Sequence, residues 1–321
     1  MSKINDAILR LSLYVERLKA TKARDFKKVA DKLQSNIEAE LKSINVDKLD
    51  DLSRSQLSRL LIAIRGLMSA AFGKYTKGLI KWLSQFATIT RKLVMQITYF
   101  ERWKHIITGQ KELDDDLTDE LAISEVEPIA SRETLTDPSL MWAAIEKTPI
   151  SANGLLIGAA VAAIGKAAQA EIENKTRMGW VNGWTVKETI ESYQDSFRKI
   201  AHQEGSSTST VIQQVYLQTK ALTLSAYYRK YVWCSIIDKS TSDMCRGRNG
   251  KVYEFGKGPV PPGHYRCRSH IEPYTGSGSN SDYTNLNQWK ATQPEAVQTD
   301  AFSNEALTLD KYAGRINLIL Q

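Results

Sequence analysis

The first hundred residues carry apolar side chains at the three- and four-residue spacing of an α-helix. One stripe runs from Ile4 to Leu18, a second from Phe26 to Ile44, and two more cover residues 57–68 and 79–100. Residues at this spacing share one face of a helix, and that face is most often buried against other helices of the same chain. The sequence therefore predicts a bundle of separate amphipathic helices over residues 1–110.

Capping motifs and breaks divide the helical regions further. Ser53 with Gln56, and Thr185 with Glu188, have the spacing at which a side chain and a backbone N–H satisfy each other at a helix start. The Gly-Ser-Ser-Thr run at 205–208 predicts a break, after which another helix begins. We therefore expect a second helical region beyond the first bundle.

The longest apolar run is rich in glycine and alanine and extends from Leu155 to Gly165, a length of 11 residues. A membrane-spanning helix needs about 20 apolar residues, so we expect no stable membrane insertion. Gly154, Gly158 and Gly165 would instead allow the close approach of a neighbouring backbone. The charged N-terminal stretch does not read as a signal peptide, and three cysteines are too few for a disulfide scaffold. These features predict synthesis in a reducing cytoplasm.

The formal net charge of +7 is the sum of basic and acidic segments that alternate along the chain. Residues 1–110 have a net charge of +11, whereas residues 111–147 have one of −8 and include three consecutive aspartates at 114–116. This change of character predicts an acidic linker or arm over residues 111–149, without the ligand spacing of a calcium loop. The basic blocks fit nucleic acid or an acidic protein surface as a partner, and they also fit ordinary solvated helix faces.

A short β-rich region follows the helices. Side chains alternate over residues 231–237 in the pattern of a strand. Asn249-Gly250 is a strong signal for a two-residue hairpin turn, and it leads into a second strand-like run at 252–255. The sequence predicts a small β-hairpin module over residues 229–275.

This module holds all three cysteines and two of the four histidines of the chain. Zinc takes four tetrahedral ligands, typically thiolates and imidazoles. The candidate ligands are Cys245, His264, Cys267 and His270. Cys234, Asp238 or water could replace His270 as the fourth ligand, because no Cys-x-x-Cys pair specifies the shell. Three interpretations stay open: a structural zinc site, reduced buried cysteines with a hydrogen-bonded histidine, and a disulfide between Cys245 and Cys267 that forms after cell lysis.

Cysteine, histidine and aspartate are also the side chains of a thiol nucleophile or of a metal-dependent nuclease. Their spacing supports neither well, and the sequence has no Gly-rich phosphate loop, HExxH motif or nucleophile elbow. We therefore predict no catalytic role. A metal-dependent nuclease or hydrolase that uses the Cys/His cluster is the alternative.

A longer motif surrounds the cysteines. Its positions are Trp233, Asp238, Thr241, Cys245, Asn249 to Tyr253, Pro261, Pro262, His264, Cys267, Arg268, Ser269 and Pro273. In order, spacing and residue type it resembles the C-terminal domain of phage minor head proteins, the Mu F-like head morphogenesis family. The helices at 185–228 and the tail from Trp289 to Asp310 are similar to the segments that flank the motif in phage proteins. Some members end the motif Cys-Arg-Cys, and Ser269 removes that thiol here.

The resemblance implies a minor virion component at the portal vertex of a tailed-phage capsid, present in few copies. Head assembly, DNA packaging or DNA ejection would be its role. Portal protein and other capsid proteins would be its partners, in an oligomeric arrangement, within the virion and in the host cytoplasm during assembly. Packaged double-stranded DNA would be a non-specific partner, because Lys and Arg neutralise phosphates regardless of sequence. The candidate contact residues are Arg246, Arg248, Lys251, Arg266 and Arg268.

Together these patterns predict a mainly α fold with a small α+β C-terminal domain. The predicted regions are a basic helical domain at 1–110, an acidic arm at 111–149, a helical middle at 150–228, the Cys/His β-hairpin module at 229–275, and a Gly/Ser linker with a short helical tail at 276–321.

Overall fold

The computed structural model describes residues 3–108, 137–274, 276 and 286–315. Over these residues the fold is mainly α-helical with a small antiparallel sheet near the C-terminus, which confirms the predicted fold class. The helices are α1 (Lys3–Ser43), α2 (Arg54–Thr108), α3 (Pro138–Glu146), α4 (Ile157–Ala163), α5 (Lys166–Val181), α6 (Val186–Leu224), α7 (Asp243–Arg248), α8 (Leu286–Thr292), α9 (Glu295–Ala301) and α10 (Leu309–Ala313). The strands are β1 (Lys230–Cys234), β2 (Val252–Glu254) and β3 (His270–Pro273).

Three helices are longer than the sequence predicts. Helix α1 joins the first two apolar stripes, α2 continues through two glycines at 73 and 78, and α6 continues through 205–208. A glycine costs a helix only about 1 kcal/mol, which the burial of the flanking apolar face outweighs. In α6 the hydroxyl of Ser209 donates to the Gly205 carbonyl at 2.8 Å, so the serine is satisfied within the helix. None of the helices among the described residues is long and apolar enough to cross a membrane.

Both predicted capping boxes form. The Ser53 N–H donates to the Gln56 side chain at 2.9 Å, and the Gln56 N–H donates to the Ser53 hydroxyl at 3.3 Å. Thr185 and Glu188 make the same two bonds at 2.7 and 3.1 Å. The starts of α2 and α6 were therefore predictable from local side-chain chemistry alone.

Only the end of the predicted acidic arm lies among the described residues, and the aspartates at 114–116 lie outside them. Residues 138–146 form α3 rather than linker. Asp137 caps this helix by accepting the Ser139 N–H at 2.7 Å, and Pro138 occupies the first turn. Ile145 is fully buried, so packing holds this segment in place.

The chain divides into two compact units built from segments that are distant in sequence. Among the residues that the structure describes, the first unit lies within Met1–Thr21, Leu83–Ile157 and Thr210–Gln321, and the second within Lys22–Trp82 and Gly158–Ser209. The units differ from the consecutive division predicted from the sequence, because α1, α2 and α6 each supply residues to both.

The core of the second unit includes Phe72. Its ring stacks on Phe26 with the centroids 6.0 Å apart, and a Cβ added to Gly165 would come within 2.3 Å of it. Gly165 has φ +87°, a conformation that glycine adopts without strain, and it separates α4 from α5. At Gly154 and Gly158 an added Cβ would meet nothing within 4 Å. Of the three glycines predicted to allow close approach, Gly165 is the one that does so.

In the first unit, the start of α1 packs against the C-terminal helices. Leu9 and Leu13 form a buried cluster with Ile236, Trp289 and Ala301. The predicted short helical tail is present as α8, α9 and α10, whereas residues 277–285 of the predicted Gly/Ser linker lie outside the described residues. The tail therefore shares a core with the region that follows β1.

The sheet has the order β2–β1–β3, and β1 is antiparallel to both neighbours. Trp233 pairs with Ile271, and the next residue, Cys234, pairs with His270. Successive side chains of a strand point to opposite faces, so Trp233 lies on one face and Cys234, His270 and Glu272 lie on the other. We call these the tryptophan face and the histidine face. Both are covered, because residues 231–234 are all buried.

Candidate metal centre

A small helix, rather than the predicted hairpin turn, connects β1 to β2. Ser242 caps α7 by accepting the Cys245 N–H at 3.3 Å. Asn249 ends the helix, and its side chain accepts the Ser235 N–H at 2.8 Å. Gly250, at φ +76°, then donates its N–H back to β1 at 2.8 Å. The Asn-Gly pair therefore closes a longer connection, and that connection places Cys245 over the tryptophan face.

A proline-rich loop brings His264 and Cys267 to the same place. The Cys267 N–H donates to the His264 carbonyl at 3.2 Å, which closes a tight turn between the two side chains. Two helices of the first unit hold the end of this loop. Lys19 of α1 donates to the Cys267 carbonyl at 3.2 Å, and Gln213 of α6 donates to the Ser269 carbonyl at 2.8 Å.

Cys245, His264 and Cys267 converge on the tryptophan face. The Cys245 Sγ lies 3.2 Å from the His264 Nε2 and 3.8 Å from the Cys267 Sγ, and the three ligand atoms lie within 4.8 Å of one another. With metal–sulfur bonds of about 2.3 Å and metal–nitrogen bonds of about 2.0 Å, two ligand sulfurs of a tetrahedral site lie about 3.8 Å apart, and a sulfur and a nitrogen about 3.5 Å. The two contacts of the Cys245 Sγ therefore match edges of a tetrahedral metal site, and the third pair lies within 4.8 Å.

His264 has the orientation of a metal-binding imidazole. Its Nδ1 lies 2.8 Å from the Tyr265 carbonyl oxygen. A carbonyl only accepts, so Nδ1 carries a proton and Nε2 is the ring nitrogen that faces Cys245 as the available metal ligand. Metal-binding histidines commonly donate the other ring N–H to a backbone carbonyl in this way. His264 is half-buried, whereas both cysteines are buried.

The two sulfurs of this centre have different proton affinities. The hydrogen bond from the Cys267 thiol lowers the pKa of Cys245 to about 6, and the Ser242 hydroxyl acts in the same direction. The same sulfur–sulfur contact, together with burial, raises the pKa of Cys267. The contact therefore favours the thiolate form at Cys245 and the thiol form at Cys267. The sulfurs are not bonded, since a disulfide is about 2.05 Å long and the Sγ atoms are 3.8 Å apart.

The prediction that His270 completes this ligand set is corrected by the register of the sheet. His270 pairs with Cys234 across β3 and β1, so its side chain points to the histidine face, away from Cys245. Cys234 lies on that same face for the same reason. Asp238, the remaining protein candidate, is bound by both terminal nitrogens of Arg268 at 2.6 Å. Of the candidate fourth ligands named from the sequence, only water is left.

Arg268 and Arg246, both predicted to contact DNA, make internal hydrogen bonds. The paired contact with Arg268 holds the pKa of Asp238 well below its usual range. Arg246 donates to the Asp238 and Thr241 carbonyls, the latter at 3.1 Å. These two arginines therefore stabilise the turn that leads from β1 into α7.

The other three predicted contact residues differ in their surroundings. The Arg248 guanidinium lies 5.1 Å from the centre of the Trp233 ring, where it covers the buried indole. Lys251 and Arg266 are exposed. Arg246 is exposed as well, so Lys251, Arg266 and Arg246 are the members of the set that lie at the surface.

A polar bridge beneath the centre was not predicted from the sequence. The Ser235 hydroxyl lies 2.9 Å from the Ser269 hydroxyl, donates to the Cys245 carbonyl at 3.0 Å and accepts the Trp233 Nε1–H at 3.0 Å. The Ser269 hydroxyl also helps to lower the pKa of Cys245. The sequence signal that could have indicated this bridge was Ser269, which stands where some family members have the last cysteine of Cys-Arg-Cys. Its hydroxyl forms a hydrogen bond with the Cys245 sulfur.

A second group of possible metal ligands occupies the histidine face. Cys234 and His270 were named from the sequence as ligands of the other centre, and Glu272 was not named. Cys234, His270 and Glu272 are buried, and the His270 Nε2 lies 2.9 Å from the Glu272 Oε1. Burial lowers the pKa of His270, whereas burial and Glu272 raise the pKa of Cys234. Lys220 of α6 is fully buried beside them, and burial lowers its pKa to about 7. Glu272 follows His270 by two residues in a strand, a spacing that could have indicated a shared face.

Comparison of the chain with protein-family models, with curated proteins and with solved structures finds no match in any of the three. The likeness to phage minor head proteins therefore depends on the motif residues of this sequence. Three of those residues, Cys245, His264 and Cys267, form the candidate metal centre on the tryptophan face.

Proposed function

We propose that this chain is a minor capsid protein of a tailed phage, associated with the portal vertex and acting in head assembly, DNA packaging or genome delivery. One observation carries the proposal: the residues of the phage-like motif are those that build the Cys/His module. Trp233 is its largest buried side chain, Asp238 binds Arg268, and Asn249 closes the connection after α7. Motif members that have structural tasks in one module support a shared fold rather than chance spacing.

The charge distribution supports a place beside DNA or acidic capsid surfaces. Residues 1–110 have a net charge of +11, and Lys251 and Arg266 add exposed basic side chains in the module. Contacts of this kind are independent of nucleotide sequence and weaken steeply with salt. Binding to double-stranded DNA should therefore be non-specific and lost at high ionic strength.

Mass spectrometry and cross-linking of purified particles test this function. We expect the chain in particles, in far fewer copies than the major capsid protein, with cross-links to the portal protein. Particles made without the gene should be defective in assembly, packaging or infectivity. Absence of the chain from purified particles, together with normal packaging and infectivity without the gene, would overturn the proposal.

We also propose that Cys245, His264 and Cys267 bind a structural zinc ion. Two thiolates and an imidazole favour zinc over hard cations, and the tetrahedral spacing of the three atoms fits it. Water, or a group from a neighbouring molecule, takes the fourth position. The ion would hold α7 to the proline-rich loop, so binding would stabilise the fold.

Elemental analysis of the purified chain tests the zinc proposal. We expect at least one tightly bound equivalent that Cys267→Ser loses and that Lys251→Ala, a change at the exposed rim, retains. A folded wild-type chain that remains metal-free after expression with ample zinc would overturn it.

The three-ligand geometry also favours a second candidate function, a metal-dependent nuclease or other hydrolase. Catalytic zinc sites keep three protein ligands and an open fourth position, and His264 is half-buried rather than fully enclosed. Zinc lowers the pKa of a bound water to about 7, which supplies hydroxide for hydrolysis. DNA cleavage by the zinc-loaded chain that His264→Ala abolishes and Lys251→Ala preserves would support it. Absence of cleavage with zinc, manganese and magnesium would reject it.

A further inference from the structure

We propose that the histidine face binds a second transition-metal ion, of the zinc class, through Cys234, His270 and Glu272. Ligand atoms of these residues lie within 4.8 Å of one another, and the three residues are 0%, 2% and 1% exposed. Thiolate, imidazole and carboxylate are the protein ligands that zinc takes. The site shares no residue with the centre on the tryptophan face, and it does not depend on the proposed virion role.

Unpaired polar atoms point to a ligand at this place. The Nδ1 of His270 and the Oε2 of Glu272 are buried and have no hydrogen-bond partner among the residues that the structure describes. Buried polar groups are almost always paired, and leaving one unpaired costs about 1–3 kcal/mol. An ion bound by the Glu272 carboxylate would give the Oε2 a partner, and binding through Nδ1 of His270 would do the same for the ring.

Strand pairing preorganises the three ligands. Cys234 and His270 are direct partners across the β1–β3 ladder, and Glu272 lies two residues further along β3 on the same face. Side chains directly opposite in an antiparallel pair have Cβ atoms about 5 Å apart. Backbone hydrogen bonds therefore hold the ligands together before any ion binds, which lowers the entropic cost of binding.

The charge of the loaded site balances. A divalent ion together with the Cys234 thiolate, the Glu272 carboxylate and an uncharged Lys220 amine has no net charge, and burying a neutral unit avoids the large cost of burying an isolated charge. The competing arrangement is metal-free, with the buried ammonium of Lys220 on α6 as the counter-ion of Glu272. Lys220 lies 3.4 Å from the Tyr216 hydroxyl, and that contact would persist in either arrangement.

The metal content of the purified full-length chain separates these arrangements. After exhaustive dialysis, inductively coupled plasma mass spectrometry should give two zinc equivalents per chain for the wild type. Glu272→Gln, which preserves the shape of the side chain, and His270→Gln should each lose one equivalent. Cys267→Ser should lose the other equivalent and retain the one on the histidine face.

A wild-type count of one equivalent or none, with no loss in Glu272→Gln, would overturn the proposal. One equivalent that His270→Gln removes and Cys267→Ser retains would support this site and contradict the other. If a variant fails to fold, X-ray absorption at the zinc edge of the wild type decides. The second site lowers the average number of sulfur ligands per zinc below two and adds a carboxylate oxygen, whereas a tryptophan-face site alone gives two sulfurs.

Discussion

The two faces of the small sheet hold similar ligand chemistry in opposite surroundings. On the tryptophan face the ligands come from α7 and from a loop, and His264 is half-buried. On the histidine face they come from paired strands and are at most 2% exposed. A helix and a loop can separate by local opening, whereas paired strands separate only when the sheet unfolds. The comparison therefore predicts one exchangeable site and one site whose ion is acquired with the fold.

Replacing Trp233 should have the largest effect, because its indole packs against both cysteines of the tryptophan face and is 0% exposed. We expect Trp233→Ala to lower the free energy of unfolding by about 3–5 kcal/mol, measured by urea denaturation. Lys251→Ala, at an exposed position in the same module, should change it by less than about 0.5 kcal/mol. Equal effects of the two changes would show that the tryptophan face is not packed as described.

The glycines of the module offer a matched pair. A Cβ at Gly258 would lie 2.4 Å from the Tyr253 Cβ and 2.6 Å from the Tyr231 hydroxyl, whereas one at Gly247 would meet nothing within 4 Å. We expect Gly258→Ala to cost about 1–3 kcal/mol in thermal or chemical unfolding. Gly247→Ala, inside α7, should be neutral or stabilising by up to about 1 kcal/mol. Since Gly258 begins the loop that delivers His264, its replacement should weaken only the metal site on the tryptophan face.

Removal of metal by a coloured chelator should show two phases. The ion on the tryptophan face should leave at least about tenfold faster than the ion on the histidine face, which corresponds to a barrier difference of about 1.4 kcal/mol. Glu272→Gln should abolish the slow phase, and Cys267→Ser should abolish the fast one. A single phase of two equivalents would contradict the difference in burial between the faces.

The smallest effect is expected at Asp238, which holds the turn beside the tryptophan face. Its pKa is depressed chiefly by Arg268, so the pair stabilises the fold above the unfolded pKa of about 4 and loses that effect as the pH falls towards the folded pKa. Because the Asp238 side chain is 40% exposed, we expect Asp238→Asn to cost only about 0.5–1.5 kcal/mol at pH 7. Melting temperatures of both proteins should converge at acidic pH. Asp195→Asn, in an exposed pair with Arg198, should cost less at every pH.

Features with a local cause were predictable from the sequence. Apolar stripes predicted the helices, the Ser53 and Thr185 boxes predicted two helix starts, and the spacing of Cys245, His264 and Cys267 predicted a shared site. The continuity of α6 was not predictable, because a Gly-Ser run disfavours a helix only weakly and the burial of its apolar face reverses that preference.

Features set by tertiary packing escaped prediction. The antiparallel pairing of the two predicted strands was right, but the two-residue Asn-Gly turn between them was wrong, because Ser242 begins a helix that lengthens the connection. His270 was assigned to the wrong ligand set because strand alternation places it on the opposite face from the residues near it in sequence. Lys220 and Glu272 look like surface residues in a sequence, and only the fold shows that they are buried.

Cobalt(II) titration tests most directly whether Cys245, His264 and Cys267 form a tetrahedral metal site. It is best done on the metal-free Glu272→Gln chain, so that the tryptophan face is the only expected site. We predict intense visible bands of tetrahedral cobalt and a thiolate-to-cobalt charge-transfer band, both lost on adding Cys245→Ser and kept on adding Lys251→Ala. A weak octahedral spectrum, or one that Cys245→Ser leaves unchanged, would contradict the metal centre on the tryptophan face.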